Sequence, residues 1–141
     1  MFTKYYEPLD HINFTVRGEG DNLFIKFKDA VNLYNNKEYV NSSAILSELI
    51  YENPDFPESH FYLGLSKIGE GQYFLAAELL QSYVDSFDKY QPEAMWYLAL
   101  CYLKTEKLSQ AHDLVTELTG SGGSYGDDAR TIKRNLSRLM N

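Results

Sequence analysis

The sequence predicts an all-α chain of three tandem helix-turn-helix repeats closed by a C-terminal helix. Three observations predict it. Similar short strings recur with a spacing of 34 or 35 residues. Apolar residues fall at helical spacing on both sides of each recurring string. Turn and breaker residues, with prolines at two helix starts, separate those stretches.

The recurring strings are Asn35-Asn36-Lys37-Glu38-Tyr39-x-x-Ser42, Gly69-Glu70-Gly71-Gln72-Tyr73-x-x-Ala76 and Thr105-Glu106-Lys107-Leu108-x-x-Ala111. Tyr39 and Tyr73 are 34 residues apart, and Tyr73 and Leu108 are 35 apart. Ser42, Ala76 and Ala111 keep the same intervals.

Residues 1–20 show no helical period and read as an extended segment. The repeat domain is expected over residues 21–141. Its first repeat, about 21–54, places Phe27, Ala30, Val31 and Tyr34 on one helix face. After a turn that reads one residue short, Tyr39, Ser42, Ile45, Leu46 and Leu49 form a second stripe, which Asn53-Pro54 ends. The second repeat, about 57–88, starts at Pro57, which suits a first helical position because it has no N–H to leave unsatisfied. His60, Leu63, Gly64 and Lys67 precede its turn; Tyr73, Ala76, Ala77, Leu80 and Val84 follow it. The third repeat, about 92–119, opens at Pro92 and pairs Met95, Leu98, Ala99 and Tyr102 with Leu108, Ala111, Leu114, Val115 and Leu118. Small residues at Gly64, Ala76, Ala99 and Ala111 let paired helix axes approach; larger ones would overpack. Gly120–Ser124 reads as a flexible connector. Residues of about 125–140 form an amphipathic helix with Ala129, Ile132 and Leu136 inside and Arg130, Lys133, Arg134 and Arg138 on the wet side. It is read as the solubilising cap of a repeat array, with a basic recognition helix as the alternative.

These residues resemble the tetratricopeptide repeat, a 34-residue pattern of W-x2-L-G-x2-Y, A-x3-F and P. The strings Leu98-Ala99-x2-Tyr102…Ala111-x3-Val115 and Leu63-Gly64…Tyr73-x2-Ala76-x3-Leu80 carry the likeness over residues 24–119. His60 and Met95 stand where the pattern has Trp, Lys67 replaces a Tyr, and Asp88 replaces the closing Pro. The resemblance implies a right-handed superhelix with a concave groove lined by the first helix of each pair. It would place Lys28, Asn32, Asn35, Phe61, Leu65, Ile68, Trp96, Leu100 and Lys104 on that groove. Ordinary core is the competing assignment for Phe61, Leu65, Trp96 and Leu100. Lys28 and Asn32 look like half of the carboxylate clamp of chaperone-binding relatives. Tyr62, Glu93 and Tyr97 stand where its other half would be, so an apolar or aromatic peptide fits better than a C-terminal carboxylate.

The expected function is protein or peptide binding by a scaffold. Tyr6-Glu7-Pro8, Val16-Arg17-Gly18, the run from Met95 to Lys104 and Tyr125…Ala129 also resemble the C-terminal domain of Bacteroidetes-type membrane-anchored repeat proteins. That likeness implies a periplasmic domain. The alternatives are a small acidic cytoplasmic chaperone for hydrophobic or secreted clients, and a homodimer through an exposed apolar helix face.

Other classes fit poorly. With 13 basic and 20 acidic residues the net charge is −7, the wrong sign for a nucleic-acid face or an anionic membrane surface. No apolar run reaches the ~18 residues of a membrane span, so no direct insertion is expected. Residues 1–20 lack the apolar core of a signal peptide. His60 falls on a core position, and His112 reads as part of a solvated helix face. Cys101 sits within an apolar helix with no base beside it. Gly69-Glu70-Gly71 lacks the Lys-Ser/Thr of a phosphate loop. The chain is read as a non-enzyme with no catalytic residue, metal or cofactor.

Overall fold

The computed structural model describes residues 22–121 and 125–140, so the expected extended segment 1–20 and residues 122–124 of the connector lie outside it. Seven helices and no strand are found among the described residues: α1 Asn22–Asn35, α2 Tyr39–Glu52, α3 Pro57–Gly69, α4 Tyr73–Ser86, α5 Gln91–Lys104, α6 Leu108–Ser121 and α7 Gly126–Met140. The chain forms two compact units whose described parts are residues 22–79 and residues 80–140. Helix α6 runs through Gly120 and Ser121, two residues into the expected connector. A terminal glycine weakens a helix by only about 1 kcal/mol.

The three internal turns are one motif. Lys37, Gly71 and Glu106 each adopt a left-handed conformation, with φ of 64°, 80° and 62°. In each turn this residue's N–H donates three residues back, to Tyr34, Ile68 or Leu103. The next N–H donates five back, from Glu38 to Leu33, Gln72 to Lys67 and Lys107 to Tyr102. This is the Schellman pairing, which satisfies the last carbonyls of a helix. The first turn is therefore not one residue short: the three share the same bonds. Lys37 and Glu106 hold a conformation that costs a side chain about 1–2 kcal/mol and glycine almost nothing.

In residues 22–79, α1 packs on α2 and α3, and α2 packs on α3. The core is a chain of edge-to-face rings. Phe56 meets Phe24 at 6.0 Å and Phe27 at 5.2 Å between centroids. Tyr62 meets Phe27 at 5.6 Å and Tyr34 at 5.3 Å, and Tyr34 meets Tyr39 at 5.6 Å. Each such pair is worth about 0.5–1.5 kcal/mol beyond simple burial, and here they give many of the aromatic residues a partner. Ser42 fills a position occupied by alanine in the other repeats. Its hydroxyl donates to the Ala30 carbonyl at 2.8 Å, so it is buried at no polar cost. Ser43 donates to Glu70 at 2.6 Å, and Lys67 pairs with the same carboxylate at 3.0 Å.

In residues 80–140, α6 packs on both α5 and α7. Ala94, Leu98, Ala99, Leu100 and Cys101 from α5 are fully buried, as are Ala111 and Val115 from α6. The joint between α4 and α5 lacks the expected proline at Asp88 and is fastened by side chains instead. Tyr83 donates to the Lys89 carbonyl, and the Gln91 amide donates to the Val84 carbonyl at 2.9 Å and to that of Phe87. Ala129, Ile132 and Leu136 of α7 are fully buried, as a cap requires.

Candidate protein-binding surface

The nine residues expected on the first helices divide by polarity. Lys28, Asn32 and Asn35 on α1, and Lys104 at the end of α5, are exposed. Phe61, Leu65 and Ile68 on α3 and Trp96 and Leu100 on α5 are interior residues, none more than 3% exposed. A partner reaching any one of them must displace whatever lies over it. Helix α3 is buried on every side, with Glu58, Ser59, Phe61 to Ser66 and Ile68 all inside.

The cover over Trp96 is visible. Tyr125, just before α7, stacks on the indole at 5.0 Å between centroids, with 17° between planes. Burial pushes the Tyr125 hydroxyl up to about 12, and the Glu93 carboxylate adds to the shift. Glu93, one turn before Trp96, is itself raised by burial. An aromatic pair and a carboxylate that resists ionisation thus share one corner between α5 and the cap. Sequence reasoning placed Tyr125 at the start of the cap helix and in a resemblance string, and gave its ring no packing role. The signal was one ring beside a Gly/Ser stretch.

The clamp positions are unsuited to a carboxylate. Tyr62 and Tyr97 are buried, and Glu93 puts a carboxyl group where the clamp needs a cation. In the first half of α1, Lys26 sits between Glu48 at 2.9 Å and Glu52 at 3.2 Å. These bonds raise the ammonium and lower Glu48.

Both described histidines have hydrogen-bond partners. The imidazole of His60 lies 2.8 Å from the Pro54 carbonyl. His112 is not on a freely solvated face: its Nε2 lies 3.2 Å from Ser137 Oγ and ties α6 to α7. Burial pushes the Cys101 thiol up to about 12, leaving it protonated and unreactive at neutral pH. Among the described residues no group of three or more His, Cys, Asp or Glu could hold a metal ion. No described helix is long and apolar enough to cross a membrane.

No protein-family model matches the sequence, and no curated protein matches it. Solved structures do match its fold. The type III secretion chaperone SycD of Yersinia enterocolitica, solved with a peptide of the translocator YopD, is similar with a TM-score of 0.76 at 19% identity. That match covers 87% of this chain and 98% of SycD. PcrH from Pseudomonas aeruginosa is similar with a TM-score of 0.74 at 15% identity, covering 85% of this chain and 95% of PcrH. A double mutant of MamA RS-1 is similar with a TM-score of 0.65 at 15% identity, covering 87% and 79%. The chain has the all-α, tetratricopeptide-like helical-repeat fold that the repeats in its sequence predict.

Proposed function

We propose that the chain binds a peptide or protein segment of another protein through the first helices of its repeats. One observation carries this reading: the fold matches, over 87% of this chain and 98% of SycD, a chaperone solved in complex with a peptide of the translocator YopD. In residues 22–79 the exposed residues Lys28, Asn32 and Asn35 offer polar contacts along α1, and in residues 80–140 Lys104 does so on α5. Phe61, Leu65 and Ile68 in the first unit, and Trp96 and Leu100 in the second, are buried, so a partner gains them as apolar contacts only by displacing what covers each. Exchanging one apolar cover for another gives little net burial, so micromolar affinity is expected.

The more specific reading is a small acidic chaperone for a secreted or hydrophobic client. It draws support from near full-length matches to SycD and PcrH. The alternative of a membrane-anchored periplasmic scaffold rests on sequence strings alone: two in residues 1–20, outside the described residues, and those at 95–104 and 125–129.

The test is capture from lysate of the source organism, comparing the wild type with a Lys28→Ala, Asn32→Ala, Asn35→Ala variant. These side chains are exposed, so helix content should persist. A protein captured by the wild type and lost by the folded variant supports the surface. Equal capture by both refutes it. For the chaperone reading, the captured protein should aggregate when made alone and stay in solution when made with this chain.

A further inference from the structure

The outer face of α7 carries more charge than capping needs. Ala129, Ile132 and Leu136 are buried. Arg130, Arg134 and Arg138 follow at intervals of four and form one exposed stripe on the opposite side, with Lys133 beside it. The chain has four arginines, and three of them stand on this stripe. Arg130 pairs with Asp127. Among the described residues, no carboxylate forms an ion pair with Lys133, Arg134 or Arg138.

A cap needs only a polar outer face, and alternating Glu and Lys would supply one while adding favourable pairs. Here Arg130 faces Arg134 and Arg134 faces Arg138, and like charges four apart destabilise a helix. The helix dipole accounts for Arg138 in the last turn but not for Arg130 or Arg134. An anionic occupant would relieve this repulsion. The planar guanidinium forks match carboxylates with two parallel bonds each, about 6 Å apart along the helix.

We propose that the Arg130–Arg134–Arg138 stripe of α7 is a second docking surface, which takes an acidic segment of a partner polypeptide. It uses none of the first-helix residues and does not depend on them. The sign of the remaining charge favours a short acidic segment over an extended polyanion. Helix α7 holds four cations and two aspartates, so the other residues hold nine cations against eighteen carboxylates. A bilayer or duplex must approach that anionic remainder, whereas a short segment need only come within a screening length of about 8–10 Å of the stripe.

The test uses a fluorescent oligoglutamate peptide and an oligoglutamine peptide of the same length, titrated with the whole chain. The glutamate peptide should bind saturably at low ionic strength and weaken about fivefold or more at physiological ionic strength. An Arg130→Gln, Arg134→Gln, Arg138→Gln variant should lose about tenfold or more of that affinity. Its helix content should persist, because all three side chains are exposed. Equal binding of both peptides, or equal binding by the variant, overturns the proposal. So does the absence of saturable binding. Phosphatidylserine vesicles and duplex DNA are tested in parallel. If either binds in a stripe-dependent way and the glutamate peptide does not, the stripe belongs to a different class of ligand and the proposal fails.

Discussion

Replacing Gly69 with alanine tests the packing between neighbouring repeats with a single methyl group. A Cβ at Gly69 would stand 2.4 Å from Cγ of Tyr39 and 2.5 Å from both Cδ atoms. The ring would have to retreat by about 1 Å to reach ordinary contact. Cγ is one bond from the Cβ of Tyr39, so the ring cannot swing clear and the first turn of α2 must move. Overpacking of this kind costs about 1–3 kcal/mol. The alanine returns at most about 1 kcal/mol of helix propensity, and less at the last residue of a helix. The net expectation is a loss of about 1–2 kcal/mol, or roughly 3–10 °C in Tm for a chain of this size. Urea unfolding followed by circular dichroism measures it. The same substitution in a Tyr39→Ala background should be neutral or stabilising, which gives a coupling of about 1 kcal/mol or more. If Gly69→Ala is as stable as the wild type in both backgrounds, Tyr39 does not sit on Gly69 and the seating of α2 against α3 is wrong.

Other expectations come from single residues. Lys37→Gly and Glu106→Gly should each stabilise the chain by about 0.5–1 kcal/mol in urea unfolding, because both sites are left-handed. Gly71→Ala should do the reverse, with a cost that is purely backbone, since nothing lies within 4 Å of the added Cβ. Tyr125→Ala should uncover Trp96, the only tryptophan, shifting its emission to the red and costing about 1–3 kcal/mol; unchanged emission would contradict the stack. Glu93→Gln should stabilise the chain at neutral pH. Burial raises the folded-state value of Glu93, so its relative stabilisation is complete below the ordinary carboxylate value and is lost as pH rises through the folded one. The gain from glutamine should therefore appear at pH 7 and vanish near pH 4. A gain constant across that range would assign it to packing.

The repeats were legible because the same geometric demand recurs at the same position. Gly64 and Ala99 on first helices, and Ala76 and Ala111 on second ones, are small, as a close approach of paired helix axes would demand. Period detection finds such positions without knowing the fold. The equivalence of the turns was only half legible. Lys37 and Glu106 do not advertise a left-handed conformation as Gly71 does, so the first turn looked short until its hydrogen bonds were seen. His112 was misjudged for a related reason. Its neighbours Asp113 and Glu117 suggested a solvated face, but the contact that places it comes from Ser137, 25 residues away.

The binding face was the least legible part, and the reason is physical. A helix that is apolar all round must be covered, and the stretch from Trp96 to Cys101 is buried without a break. Periodicity announces the need for a cover and cannot name it, because the cover need share no period with what it covers. Over Trp96 the cover includes Tyr125, one ring at the entrance to α7. The cap therefore does two jobs that its sequence pattern separates cleanly. Its apolar stripe follows the helical period and predicts its packing on α6. Its arginine stripe follows the same period on the opposite side, where no packing demand exists. Charge repeated with helical periodicity, on a face that needs only to be wet, is better explained by something that binds there than by solubility alone.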